Sequence, residues 1–139
     1  MTQTIASLKP FEAERDTSSP NRNLAPVTTC LDEQDRLVVG GCVLSELAQR
    51  YGTPLYVLDE ETVRGTCRAY RDALQQHYPG ESLPVYASKA NSSLLMSSIA
   101  AAEGLGLDAV SAGELLTALQ GGMPGERMVL HGNNKNDEE

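Results

Sequence analysis

From residue 55 onward the chain repeats one pattern, a short apolar run followed by a longer stretch with apolar residues at helical spacing. The length of that repeat limits the fold more than any other feature of the sequence. The runs are Leu55–Leu58, Pro84–Ser88, Leu107–Val110 and Met128–Leu130. Their starts lie roughly 20 to 30 residues apart, which is the length of a parallel strand with its crossover helix. Such units build a parallel sheet or a barrel, so the predicted class is α/β.

The intervening stretches read as helices with defined ends. Asp59 is expected to cap the first, with Glu60 and Glu61 favourable in its opening turn and Val63, Cys67, Tyr70 and Leu74 on its buried stripe. This helix should stop near Tyr78, ahead of Pro79-Gly80. After the Lys89-Ala90-Asn91 turn, Leu95, Ile99 and Ala102 mark the buried side of a second helix, which Gly104 breaks. Ser111 and Glu114 form a capping-box pair at the start of a third, whose Leu115 and Leu119 face inward before Gly121-Gly122 and Pro124-Gly125. The count is four consecutive strand–helix units, the last incomplete.

Ahead of these units, residues 31–54 read as a lead-in. Leu37–Val39 forms a short strand stopped by Gly40-Gly41, and a helix through Leu44, Leu47, Ala48 and Tyr51 follows, ending before Gly52 and Pro54. Residues 1–30 hold Pro10, Pro20, Pro26 and Ser18-Ser19 with no sustained period, and are expected to be a flexible arm. Residues 55–139 are then the first half of a barrel domain. A full eight-unit barrel takes about 250 residues, so a chain of 139 residues reads as truncated. On that expectation the inward faces of its strands, Val57, Val85 and Leu107 among them, lose their opposite half.

Charge narrows the partners. A formal charge of −8 and a pI near 4.7 leave no clustered Lys and Arg for phosphate backbones, so no nucleic-acid partner is expected and a small-molecule ligand is. No apolar run reaches bilayer length and no leader pattern opens the chain, which predicts no membrane association and a cytoplasmic location. Cys30, Cys42 and Cys67 are too widely spaced for a zinc site and read as reduced thiols, and His77 and His131 stand far apart, so no metal is expected. Gly104 and Gly106 follow a helix and precede a strand, the reverse of a dinucleotide fingerprint.

Chemistry in parallel strand–helix folds collects at the carboxyl ends of strands. Here those positions are Asp59, Lys89, Asp108 to Ser111 and His131 to Lys135. The chain has only three lysines, Lys9, Lys89 and Lys135, and two of them lie at strand ends. Lys89 directly follows an apolar strand. Partial desolvation there would favour the neutral amine that attacks an aldehyde, whereas the plainer alternative is an exposed strand-end lysine.

Local motifs add to position. Tyr86-Ala87-Ser88-Lys89-Ala90-Asn91 resembles the cofactor-lysine motif of the alanine-racemase-like, fold-type III pyridoxal-phosphate decarboxylases, at the end of their second barrel strand. Gly106-Leu107-Asp108-Ala109-Val110-Ser111-Ala112-Gly113-Glu114-Leu115 resembles their third strand and the helix start after it. His131-Gly132-Asn133-Asn134-Lys135 is similar to the fourth-strand motif of the diaminopimelate branch. The resemblance runs from about Leu37 to the end.

It implies the N-terminal part of a (β/α)8 TIM-type barrel that binds pyridoxal 5'-phosphate, with Lys89 as the catalytic residue that carries the cofactor. It makes Asp108 the acidic residue beside that lysine. It sets His131 against the cofactor, with Asn133, Asn134 and Lys135 along the rim. The implied reaction is decarboxylation of meso-diaminopimelate to L-lysine by a homodimer. The phosphate loop, the partner of the pyridine nitrogen and the substrate grip fall later in such enzymes, so these 139 residues alone are expected to be inactive. The rivals are an ornithine or arginine decarboxylase of the same fold, and a non-catalytic fragment or cofactor-carrier domain. Ser111 and Glu114 are assigned to helix capping, Tyr86 to packing and His77 to the surface.

Overall fold

The computed structural model describes residues 9–10, 24–133 and 135–137. The chain divides into two compact units, Met1–Val63 and Arg64–Glu139.

In the first unit, four short antiparallel strands form a sheet in chain order: β1 (Lys9–Pro10), β2 (Cys30–Leu31), β3 (Leu37–Val39) and β4 (Cys42–Val43). Gly40 and Gly41, read from sequence as a stop, are the two-residue loop of the β3–β4 hairpin, inside the Val39–Cys42 rung. Both have positive φ, +56° and +77°, as a primed hairpin turn requires and as glycine adopts without strain. Val38, Val39 and Val43 are buried, and α1 (Leu44–Tyr51) follows directly. The arm expected over residues 1–30 lies for the most part outside the described residues. Within it, Lys9–Pro10 and Cys30 form rungs of this sheet, pairings too short to leave a period in the sequence.

Asp59 is a buried carboxylate and acts as the expected helix cap, accepting the Thr62 N–H at 3.0 Å and the Thr62 hydroxyl. It also accepts the Thr28 hydroxyl at 2.7 Å, and that hydroxyl in turn accepts the Gly40 N–H at 2.8 Å. Burial works against the charged form, but these donors outweigh it and hold Asp59 below the usual carboxylate range. The strand expected over Leu55–Leu58 does not form. No ladder pairs these residues, and Tyr56 is 100% exposed. An apolar run becomes a strand only when a neighbour takes up its backbone N–H and C=O groups.

In the second unit, β5 (Val85–Ala87), β6 (Gly106–Ala109) and β7 (Met128–Leu130) form a parallel sheet in the order β5-β6-β7. The helices are α2 (Glu60–His77), which starts in the first unit, α3 (Leu94–Ala102) and α4 (Ala112–Gln120). The sheet therefore holds three of the four strands expected. β6 is its centre, with Leu107 and Ala109 both 0% exposed. Leu107 packs on the helix side rather than losing its cover, whereas Val85 and Val129 are exposed. Gly106 is obligatory for this packing: a Cβ there would lie 2.4 Å from the Arg127 carbonyl oxygen and 2.9 Å from Leu83 Cδ2.

The helix faces differ in part from the sequence expectation. On α3 the buried residues are Met96, Ser97, Ile99 and Ala100, while Leu95 and Ala102 are exposed. That helix is apolar almost all round, so its period cannot say which side is covered. On α2, Cys67 is buried with Val63 and Leu74 half-buried, but Tyr70 is exposed. On α4, Ala118 is the buried residue, Leu115 is half-buried and Leu119 is exposed.

One ionic cluster ties α2 to the end of α3. The buried Glu103 carboxylate accepts from Arg68 Nε at 2.8 Å and from Arg64 Nη1 at 2.9 Å, and Arg71 Nη1 donates to the Glu103 carbonyl at 3.0 Å. The hydrogen bonds from Arg68 and Arg64 hold the Glu103 carboxyl down to about 2. A carboxylate depressed in the folded state stabilises above its unfolded pKa, and that contribution is lost as pH falls through the folded value. Between pH 4.5, the ordinary value, and about 2, the native protein should lose more stability than Glu103→Gln, as measured by denaturant unfolding across pH. Parallel profiles would refute the assignment. Gly106→Ala should destabilise by about 1–3 kcal/mol through overpacking. Gly113→Ala, where a Cβ meets only Ser111 Oγ at 3.9 Å, should be neutral or stabilising in the same melts.

Candidate functional site

The parallel ladder decides which side chains meet. Ala87 lies opposite Asp108, and Asp108 opposite Val129. β5 then leaves the sheet through a single 3₁₀ turn, Ser88–Ala90, and His131 follows β7 with its N–H donating to the Ala109 carbonyl at 2.8 Å. Lys89, Asp108 and His131 therefore stand at the carboxyl edge of three adjacent strands. Asp108 interrupts the buried pair Leu107 and Ala109, so its side chain lies on the opposite face of β6 from theirs. There Asp108 Oδ2 is 3.7 Å from His131 Nδ1, an ion pair when the imidazole is protonated.

Lys89 itself is exposed, not partly desolvated as its strand-end position suggests. It lies beyond the last rung, in the turn where the backbone departs from the sheet. The turn is fastened at both ends. Tyr86 Oη donates to the Asn91 carbonyl at 3.1 Å, and Asn91 Oδ1 accepts the Ser93 N–H at 3.1 Å. Ser93 in turn caps α3 by accepting the Met96 N–H. Burial pushes the Tyr86 hydroxyl above its ordinary pKa. Tyr86 and Asn91 thus hold the shape of the segment that presents Lys89.

Ser88 is the residue that sequence reading passed over. It is 1% exposed, and its hydroxyl lies within donating distance of the Asp108 carbonyl, at 3.0 Å, and of the Glu114 carboxylate. The capping box expected at Ser111 and Glu114 is half formed: Ser111 Oγ accepts the Glu114 N–H at 3.3 Å. The Glu114 carboxylate reaches past the cap to the Val110 N–H at 2.9 Å and to Ser88. No local pattern announces this contact, because its partners lie 26 residues apart in the chain.

Other strand-end candidates are occupied structurally. The Asp59 carboxylate is taken up by Thr28 and Thr62, and Lys135 Nζ donates to the Leu130 carbonyl at 2.7 Å, closing the end of β7. Asn133 is exposed and Asn134 lies outside the described residues. His77 is exposed at the end of α2. Cys30, Cys42 and Cys67 are free thiols. The edge offers a primary amine, a carboxylate and an imidazole. A primary amine can condense with an aldehyde, and a carboxylate favours a protonated nitrogen nearby.

Residues 60–139 match the family model described as pyridoxal-dependent decarboxylase, pyridoxal binding domain. The diaminopimelate decarboxylase of Synechocystis sp. is 44% identical over 129 residues, 87% of this chain and 28% of that protein. The enzyme of the same name from Bacillus subtilis is 44% identical over 113 residues, 81% of this chain and 25% of its own length. Among solved structures, diaminopimelate decarboxylase from M. jannaschii superposes with a TM-score of 0.68 at 33% identity, covering 80% of this chain and 26% of that one. A second structure of that protein is a co-complex with L-lysine. The chain thus spans between a quarter and three tenths of the length of these relatives. Among the described residues, no helix is long and apolar enough to cross a membrane.

Tyr86→Phe removes one bond at the base of the Lys89 turn and nothing else. It should cost about 0.5–1 kcal/mol and raise amide hydrogen exchange selectively across residues 88–93. Exchange unchanged there would show that the Tyr86 hydroxyl does not hold the turn.

Proposed function

The chain belongs to the pyridoxal-dependent decarboxylases through their pyridoxal binding domain. From that premise we propose that the intact protein converts meso-diaminopimelate to L-lysine and carbon dioxide, with pyridoxal 5'-phosphate held on Lys89. One observation carries the reading. Lys89 sits at the carboxyl end of β5 within Tyr86–Asn91, on the same sheet edge as Asp108 and His131. The substrate assignment is supported by relatives named diaminopimelate decarboxylase at 41–44% identity.

When bound, the cofactor supplies an electron sink for the pair left behind as carbon dioxide departs. The chain's own groups have narrower duties. Lys89 Nζ is the group that would hold the cofactor through its aldehyde carbon, the carbonyl oxygen leaving as water, and once displaced by the substrate amine it would be placed to give or take a proton. The Asp108 carboxylate favours positive charge beside that amine. The His131 imidazole, set by its contact with Asp108, presents a flat polar surface at the third strand end. In this reading residues 55–139 are the first half of a TIM-type barrel, residues 31–54 its lead-in, and the working protein a cytoplasmic homodimer.

Borohydride reduction of the intact protein with bound pyridoxal phosphate, followed by peptide mapping, should place the label on Lys89. Lys89→Ala should abolish carbon dioxide release, and Lys89→Arg should fail as well, because a guanidinium stays protonated and cannot form the link. Turnover should be highest on meso-diaminopimelate when it is assayed beside ornithine and arginine. Label on Lys9 or Lys135 with none on Lys89 would refute the anchor. Preference for ornithine or arginine would refute the substrate.

A further inference from the structure

Glu114 is bonded more widely than a helix cap requires. It stands in the first turn of α4, where its own N–H is already served by Ser111. One of its carboxylate oxygens takes the Val110 N–H, just past the end of β6, and meets the buried Ser88 hydroxyl just past the end of β5. A single carboxylate thus joins the ends of two neighbouring strands at the level where both leave the sheet. Ser88 is covalently adjacent to Lys89, and its hydroxyl also approaches the carbonyl of Asp108. Ser88 has no room to move, because it is enclosed almost completely. Lys89 is exposed, so the described contacts near it bear on its backbone.

We infer that Glu114 is a positioning residue for Lys89, acting through Ser88, so that the Ser88–Glu114 contact sets where the amine stands relative to Asp108. The inference rests on the reading of Lys89 as the cofactor anchor. A charged acceptor bonded to a buried hydroxyl is among the stronger neutral-to-ion contacts, and shortening or removing either partner frees the turn that carries the amine. A hydroxyl carries one proton. Without Glu114, Ser88 retains only the Asp108 carbonyl as acceptor, and the turn loses its tie to α4.

The test uses the intact protein stripped of cofactor and then given pyridoxal phosphate. Three readouts are followed: the rate at which the lysine-bound chromophore appears, its induced circular dichroism, and the thermal midpoint. Ser88→Ala and Glu114→Gln should each slow capture at Lys89 roughly tenfold, the size expected for one charge-assisted hydrogen bond, and weaken the dichroism. The double variant should be no slower than either single one, because both act through one contact. Glu103→Gln, a buried carboxylate away from this edge, should shift the thermal midpoint while leaving the dichroism of bound cofactor intact.

Capture at the native rate in both single variants, or effects that multiply in the double variant, would overturn the inference while leaving Lys89 as anchor. So would a dichroism that tracks thermal stability across all variants, Glu103→Gln included. Should Glu114→Gln fail to fold, Ser88→Ala carries the same comparison with a side chain that fits the space already present. Absence of label at Lys89 in the native protein would remove the anchor reading and this inference with it.

Discussion

The backbone ladder that sets β6 between β5 and β7 is the constraint on which the second unit depends. Parallel strands all point the same way, so their carboxyl ends share one edge, and residues distant in sequence arrive there together. Every rung satisfies N–H and C=O groups that could not otherwise be buried. This allows Leu107 and Ala109 to be fully enclosed. The rungs close up only because Gly106 has no Cβ to meet the Arg127 carbonyl. The positions of Lys89, Asp108 and His131 follow from this register.

Around the ladder, helix starts provide a second layer of order. Ser93 and Ser111 each satisfy an N–H at the start of a helix, and each cap lies a few residues beyond a strand of the edge. Capping and presentation of the edge are thus one set of bonds. Asn91 fastens the Lys89 turn and leads into the Ser93 cap. Glu114 belongs to α4, yet its carboxylate bonds beyond the helix that carries it.

What could be read in the sequence was what local pattern determines. The runs at β5, β6 and β7, the helices between them, the Asp59 and Ser111 caps and the strand-end place of Lys89 all follow from periods and capping residues. What could not be read depends on distant partners. Leu55–Leu58 has the composition of a strand but no neighbour to pair with. The covered side of α3 depends on what packs against it, and Leu94–Ala102 is apolar in too many directions to reveal it. The two-residue strands β1 and β2 are shorter than any period. The Ser88–Glu114 contact spans 26 residues, and no spacing rule connects them.

The Glu103 cluster has a consequence for how this sequence can change. Glu103 is enclosed and answered by Arg64 and Arg68 through its carboxylate and by Arg71 through its backbone carbonyl. Removing the acid takes a shared acceptor from Arg64 and Arg68, and removing an arginine leaves part of a buried carboxylate unanswered, so each single step is penalised. A well-packed apolar group in place of the whole cluster need carry no such penalty. These positions on α2 and α3 are therefore epistatic: the route from an ionic joint to a greasy one passes through intermediates less stable than either end.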